Sequence, residues 1–178
     1  MTLPMLIVVS GPAGSGKTTL AHELARTIGC PAICRDEIKE GMVHASTVPF
    51  VAEPGDALTR RTLAVFFDML RLLLRAGVTV VAEAAFQDRV WRSNLEPISD
   101  LAHIRIVQCW VDESTARQRV TDRQFRPAHA DGSVVADDDY FDNFVRLSLP
   151  VPAMDVDTTD HYKPPLDQIV AFASTLSV

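Results

Sequence analysis

An eight-residue loop near the start of the chain constrains its fold more than any other feature of the sequence. Residues 11–18 read Gly-Pro-Ala-Gly-Ser-Gly-Lys-Thr and match the phosphate-binding pattern G-x-x-x-x-G-K-[ST]. The apolar run Met5–Ser10 before the loop predicts a strand, and the amphipathic stretch Lys17–Ile28 after it predicts a helix. A strand, such a loop and a helix in this order point backbone N–H groups at a phosphate. The sequence therefore predicts a P-loop of the kind that binds nucleoside triphosphates.

The residues of this loop have distinct expected contacts with a triphosphate. Lys17 is expected to contact the β- and γ-phosphates, and the Thr18 hydroxyl is expected to ligate Mg²⁺. No N-K-x-D segment, with which GTPases recognise guanine, occurs in the sequence. The residues predicted to hold the nucleotide here are Gly11, Ala13, Gly14, Ser15, Gly16, Lys17, Thr18 and Thr19.

The rest of the chain alternates strand-length apolar runs with helical patterns, which is typical of a parallel α/β sheet. The further predicted strands are Ala32–Cys34, Thr79–Glu83, Ile104–Trp110 and Ala153–Asp157. The further predicted helices are Asp56–Ala76, one from Asp88 toward Asp100, one from Asp112 toward Phe125, one over Tyr140–Leu147 and one after Pro164-Pro165. Gly41–Gly55 and Arg126–Asp138 are expected to be loops. Nothing in the pattern divides the chain, so residues 1–178 are expected to form a single domain.

Composition excludes several classes of protein. The 178 residues are 47% hydrophobic with a net charge of −6, which argues against disorder and against a broad nucleic-acid-binding face. No run approaches the about 18 apolar residues of a membrane span. Cys30, Cys34 and Cys109 form no disulfide framework, and the Cys30/Cys34 pair has no further Cys or His cluster to complete a zinc site. Free thiols in a reducing cytosol, and hence a cytoplasmic protein, are expected.

A carboxylate follows the second predicted strand, where open α/β sheets collect ligands. Asp36 is the candidate to orient or deprotonate an acceptor hydroxyl, because a kinase needs a carboxylate there. The alternative is that Asp36 simply caps the next helix. Arg35 and Lys39 flank it and are candidates to hold the acceptor.

Glu83 ends the third predicted strand, at the place of a Walker B acid, and is predicted to support Mg²⁺ directly or through water. Its alternative role is that of a buried carboxylate paired within the protein. Arg89 and Arg92 lie three residues apart on the following helix. They either clamp the acceptor or form salt bridges on the helix surface.

A second group of basic residues lies in an otherwise acidic chain. Arg119 and Arg123 share a helix face at i,i+4, and Arg126 follows within one turn. Because stacked like charges repel unless an anion neutralises them, these arginines are predicted to contact phosphates from a lid at about residues 119–139. Pairing with Asp122, Asp137 or Asp139 is the alternative. The run Asp137–Asp139 favours the start of a helix over a metal cluster.

These motifs together resemble the P-loop small-kinase group, which includes polynucleotide 5′-hydroxyl kinases, gluconate kinase, chloramphenicol phosphotransferase and the zeta toxins. The resemblance rests on residues 11–18, on Arg35-Asp36-Glu37, on Glu83–Phe86 and on the arginine-bearing lid. It implies an adenylate-kinase-like fold, with five parallel strands in the order 2-3-1-4-5 and helices on both faces. It also implies that Asp36 acts on the acceptor hydroxyl.

The resemblance leads to one preferred function and two alternatives. The preferred function is an ATP- and Mg²⁺-dependent kinase for a hydroxyl of a small molecule, a metabolite or an antibiotic, acting as a monomer or homodimer without a membrane partner. Two features argue against a nucleic-acid acceptor. Glu83 stands where polynucleotide kinases commonly have Asp, and the chain is acidic. The alternatives are a polynucleotide 5′-hydroxyl kinase and a nucleotide-sensing protein without transfer.

Overall fold

Five parallel strands form the centre of the molecule. The computed structural model describes residues 2–53, 55–123, 128, 129, 137 and 139–175, except the side chains of residues 89 and 90. The strands are β1 Met5–Ser10, β2 Ala32–Cys34, β3 Val80–Glu83, β4 His103–Trp110 and β5 Ala153–Asp157. Their order in the sheet is β2-β3-β1-β4-β5, with every neighbouring pair parallel. The predicted 2-3-1-4-5 order is confirmed.

Helices cover both faces of this sheet. They are α1 Lys17–Ile28, α2 Arg35–His44, α3 Ala57–Arg75, α4 Asp88–Leu95, α5 Glu113–Thr121 and α6 Leu166–Ser174, with a short 3₁₀ turn at Glu96–Ile98 after α4. None of the helices in the described ranges has both the length and the apolar character that crossing a membrane would take.

The core consists of two apolar layers, one on each side of the sheet. All six residues of β1 are buried, and because successive strand side chains point to opposite faces, they divide between the layers. Ile7 and Val9 pack with α1 and α6, whereas Leu6 and Val8 belong to the layer that contains α3. An aromatic cluster fills the second layer; its rings are those of Phe66, Phe67, Phe86 and Trp91.

Two predicted segments are wrong. The expected loop from Gly41 is helical as far as His44. This part of α2 packs against α3, and the Thr62 hydroxyl of α3 lies 3.6 Å from the Met42 sulfur of α2. Tyr140–Leu147 contains turns and no helix. Local turn bonds, such as that from the Phe144 N–H to the Phe141 carbonyl, alternate there with contacts to distant segments, including an isolated antiparallel bridge between Gln87 and Arg146. The turn begins where the Asp139 N–H donates to the Asp137 carboxylate.

Two leucines of α3 provide a matched test of this packing. Leu70 is fully buried, whereas Leu72 is 70% exposed. We expect Leu70→Ala to lower the free energy of unfolding by about 2–5 kcal/mol, because it leaves a cavity in the core. Leu72→Ala is expected to change it by less than about 0.5 kcal/mol. Urea unfolding followed by circular dichroism measures both, and equal losses would contradict the buried face assigned to α3.

Candidate active site

The P-loop lies at the carboxyl end of β1 and is packed too tightly for side chains at its glycines. Gly14 has φ +77°, and a Cβ atom there would lie 2.4 Å from the Ala116 carbonyl oxygen of α5. Gly16, with φ +70°, precedes the first residue of α1. The backbone of the loop therefore takes the left-handed conformations that glycine adopts readily and lies directly against α5.

Arg119 and Thr158 attach the loop to the segment after β5. The Thr158 hydroxyl donates to the Ser15 carbonyl at 2.8 Å and is buried. The Arg119 guanidinium donates to the carbonyls of Thr158 and Thr159, each at 2.8 Å, and to that of Gly14 at 3.3 Å. In this conformation Arg119 holds the Gly14 carbonyl of the loop and the Thr158 and Thr159 carbonyls together.

A cavity of about 630 Å³ lies beside the loop, within the usual size range of small-molecule sites. It is lined by Thr19 of α1, Arg119 of α5, Arg123 just after α5, and Tyr162. The predicted nucleotide residues Gly14, Gly16, Thr19 and Arg123 are thus brought together around one space. Arg126 lies outside the described residues.

Lys17 and Glu83 form a buried charged pair next to the loop. The Lys17 ammonium lies 3.8 Å from the Glu83 carboxylate, and both side chains are less than a tenth exposed. Lys17 also donates to the Pro12 carbonyl at 3.4 Å. Burial raises the pKa of Glu83, and the charge of Lys17 and the Thr18 hydroxyl oppose that rise.

The Glu83 carboxylate fits the expected magnesium site. Both of its oxygens are buried, and neither has a hydrogen-bond partner among the described residues. An orphaned buried carboxylate is costly unless a cation or donor completes it. Mg²⁺ prefers oxygen ligands, and Glu83 and the Thr18 hydroxyl offer two beside the loop.

Cys34 occupies the N-cap position of α2, and Asp36 lies in its first turn. The alternative that Asp36 caps the helix is therefore wrong. Arg35 donates to the Asp36 carboxylate at 2.8 Å, and the His129 ring lies 3.8 Å from it. Burial alone would raise the pKa of Asp36, but the positive charges of Lys17, His129 and Arg35 outweigh it and hold the pKa below its usual value. Asp36 is therefore ionised at neutral pH.

His129 and Tyr140 make contacts at the site that the sequence does not predict. The His129 ring is mostly buried and lies 2.9 Å from Glu40 of α2, in addition to its contact with Asp36. The Ala13 N–H of the loop donates to the Tyr140 hydroxyl at 3.4 Å. Neither residue belongs to a motif, so no spacing in the sequence could have indicated them.

Two predicted acceptor residues have structural contacts instead. Lys39 is 4% exposed and donates to Asp56 at 3.0 Å and to Thr59 at 2.9 Å, which ties α2 to the start of α3. Arg92 pairs with Asp88 of its own helix and donates to the Ser148 carbonyl. For Arg92 the salt-bridge alternative holds, because the i,i+4 carboxylate satisfies it locally. The Arg89 side chain lies outside the described residues.

A protein-family comparison matches most of the chain. The family model described as "AAA domain" matches residues 6–140. No curated protein is similar enough in sequence to match.

Solved structures share the fold at low sequence identity. A protein of Chloroflexus aurantiacus j-10-fl, provisionally assigned as a kinase, is 19% identical with a TM-score of 0.74 over 96% of this chain and 94% of its own. The APS kinase CysC of Mycobacterium tuberculosis, in complex with AMPPNP and APS, is 13% identical with a TM-score of 0.67 over 98% and 100%. A gluconokinase of Sinorhizobium meliloti 1021 is 22% identical with a TM-score of 0.59 over 97% and 91%. The architecture is therefore that of P-loop kinases.

Two glycines test the packing of the loop. Gly14→Ala places a methyl group against the α5 backbone at a positive φ. We expect the loop to distort and nucleotide binding to weaken by at least about tenfold, which is about 1.4 kcal/mol of binding free energy. Gly41→Ala is the control, since nothing lies within 4 Å of its added Cβ and alanine favours the helix by about 0.5–1 kcal/mol. Titration with a fluorescent ATP analogue and thermal unfolding measure both effects. Unchanged binding by Gly14→Ala would contradict the close packing of the loop on α5.

Proposed function

Because this chain belongs to the AAA domain family, we propose that its P-loop site is that of an ATP- and Mg²⁺-dependent phosphotransferase whose acceptor is a hydroxyl of a small molecule. The observation that carries the proposal is the charged cluster beside the loop, in which the buried Lys17–Glu83 pair lies next to Asp36 and the charge of Lys17 acts to lower the pKa of both carboxylates. Phosphoryl transfer requires a cation for the phosphates, a carboxylate for the metal and an ionised carboxylate for the acceptor, and this cluster supplies one of each.

The phosphate side of the site is supplied by the loop. Backbone N–H groups of residues 13–18 and the N-terminus of α1 attract the triphosphate, and Lys17 neutralises charge at the β- and γ-phosphates. Glu83 and Thr18 would hold Mg²⁺, which when bound neutralises charge on the phosphate oxygens. Arg119 keeps the loop and the segment after β5 in place, while Arg123 faces the nucleotide cavity.

Asp36 is proposed to act on the acceptor. The acceptor oxygen forms a bond to the γ-phosphorus as the bond to the departing ADP oxygen breaks, and the hydroxyl proton passes to the Asp36 carboxylate. A pKa below the usual value makes Asp36 a weak base, so it mainly orients the hydroxyl and receives the proton late in the transfer. That role suits phosphoryl transfer, whose loose transition state depends on positioning more than on early proton removal.

Two observations support a small acceptor over a nucleic acid. The chain carries a net charge of −6, whereas nucleic-acid binding draws on clustered positive charge. Solved structures that share the fold over nearly the whole chain include a gluconokinase and an APS kinase in complex with AMPPNP and APS, which are kinases of small molecules.

The direct test is transfer from γ-labelled ATP with Mg²⁺. One reaction contains a mixture of metabolites and antibiotics, and a parallel reaction contains a 5′-hydroxyl oligonucleotide. We expect label in a small organic product, whose isolation identifies the acceptor. Label in the oligonucleotide would overturn the small-molecule proposal. Label in neither acceptor would favour a nucleotide-sensing protein.

Substitutions then separate binding from transfer. Lys17→Ala is expected to abolish triphosphate binding or turnover. Asp36→Asn is expected to preserve ATP affinity and to lower the transfer rate by about 10²–10⁴-fold, the usual effect of a lost acid–base group. Asp68→Asn is the matched control, because its side chain is 77% exposed on α3. Wild-type transfer by Asp36→Asn would refute the assigned role of Asp36.

A further inference from the structure

Three metal-binding side chains converge at the corner between α1, β2 and α2. The His22 Nε2 lies 2.6 Å from Glu37 Oε1 and 3.7 Å from Cys34 Sγ. All three donor atoms lie within 4.8 Å of one another. None of the three residues is needed for the proposed nucleotide or acceptor contacts, so the proposed function does not account for their convergence.

We propose that His22, Cys34 and Glu37 form a binding site for a thiophilic divalent metal ion of the zinc class. A nitrogen, a sulfur and an oxygen ligand are the combination that such an ion accepts in tetrahedral sites. Half of the side-chain surface of His22 and of Glu37 is exposed, which leaves a fourth position open to water. No zinc site is expected from the sequence, where the Cys30/Cys34 pair has no nearby cluster to complete it; the fold brings His22 and Glu37 to Cys34.

The distances suit this assignment with a small adjustment. For Zn–S of about 2.3 Å and Zn–N of about 2.0–2.1 Å, a tetrahedral centre separates sulfur from nitrogen by about 3.6 Å. The observed separation between His22 and Cys34 is 3.7 Å. The same geometry separates nitrogen from the carboxylate oxygen by about 3.4 Å, so the His22–Glu37 hydrogen bond must open as the ion enters. Both side chains reach the surface and are free to make this movement.

The site would border the proposed active site. Cys34 is in register with Glu83 across the β2–β3 pair, and Glu37 follows Asp36 in the first turn of α2. Metal binding would displace the thiol proton of Cys34 to solvent and leave a coordinated thiolate. Mg²⁺ does not compete for these ligands, because it prefers an all-oxygen octahedral shell.

Cobalt titration of the full chain tests the site independently of any kinase activity. Protein freed of metal with a chelator, which is then removed, is titrated with Co²⁺ in excess Mg²⁺ and without nucleotide. We expect one equivalent to bind with a thiolate-to-cobalt charge-transfer band, and Zn²⁺ to abolish the band by displacement. Cys34→Ser should remove the band, whereas Cys30→Ser, a half-buried cysteine outside the cluster, should retain it.

The exposed ligand gives a second arm that does not depend on altering a buried residue. His22→Ala is expected to weaken Co²⁺ binding by at least about tenfold. Loss of a group that only supports a ligand already lowers metal affinity by about 10–100-fold, and His22 is itself a proposed ligand. The proposal would be overturned by the absence of a charge-transfer band in the wild-type protein, by its persistence in Cys34→Ser, or by wild-type affinity in His22→Ala.

Discussion

The burial of Glu83 without a hydrogen-bond partner is the constraint on which the site depends. Its strand is covered on both faces, so the carboxylate reaches no bulk water, and the nearest positive charge is Lys17 at 3.8 Å. A buried carboxylate left in this state costs free energy. The fold tolerates that cost at the carboxyl end of the sheet, where a cation can complete the coordination. The P-loop and Asp36 lie around this buried carboxylate.

A division between bracing and reacting residues follows from this arrangement. Arg119 and Lys39 both carry charge near the site, yet their hydrogen bonds go to backbone carbonyls and to Asp56 and Thr59 respectively. The hydrogen-bonding capacity of the Arg119 guanidinium is therefore met by carbonyl oxygens of the protein itself. Among the described residues, Lys17 has a long contact with the Pro12 carbonyl and the ion pair with Glu83, which suits the phosphate contact proposed for it.

The sequence predicted what depends on local pattern and missed what depends on the fold. Strand bounds and the P-loop followed from apolar runs and from one motif, and both agree with the structure. The turns at Tyr140–Leu147 were missed because tertiary hydrogen bonds override helical propensity there. The contact of His129 with Asp36, and the approach of His22 to Cys34, join residues from separate elements. No spacing rule contains that information.

The positive charges around Asp36, which lower its pKa, bear on the role proposed for it. An acceptor that must lose its proton before attack needs a base with a pKa near neutrality, and Arg35, His129 and Lys17 act in the opposite direction. The same charges keep Asp36 ionised and fixed, so that it can hold a hydroxyl in line with the γ-phosphate. Positioning of this kind accounts for a large part of phosphoryl-transfer catalysis. In the proposed reaction these electrostatics suit a neutral alcohol as the acceptor, deprotonated only as its bond to phosphorus forms.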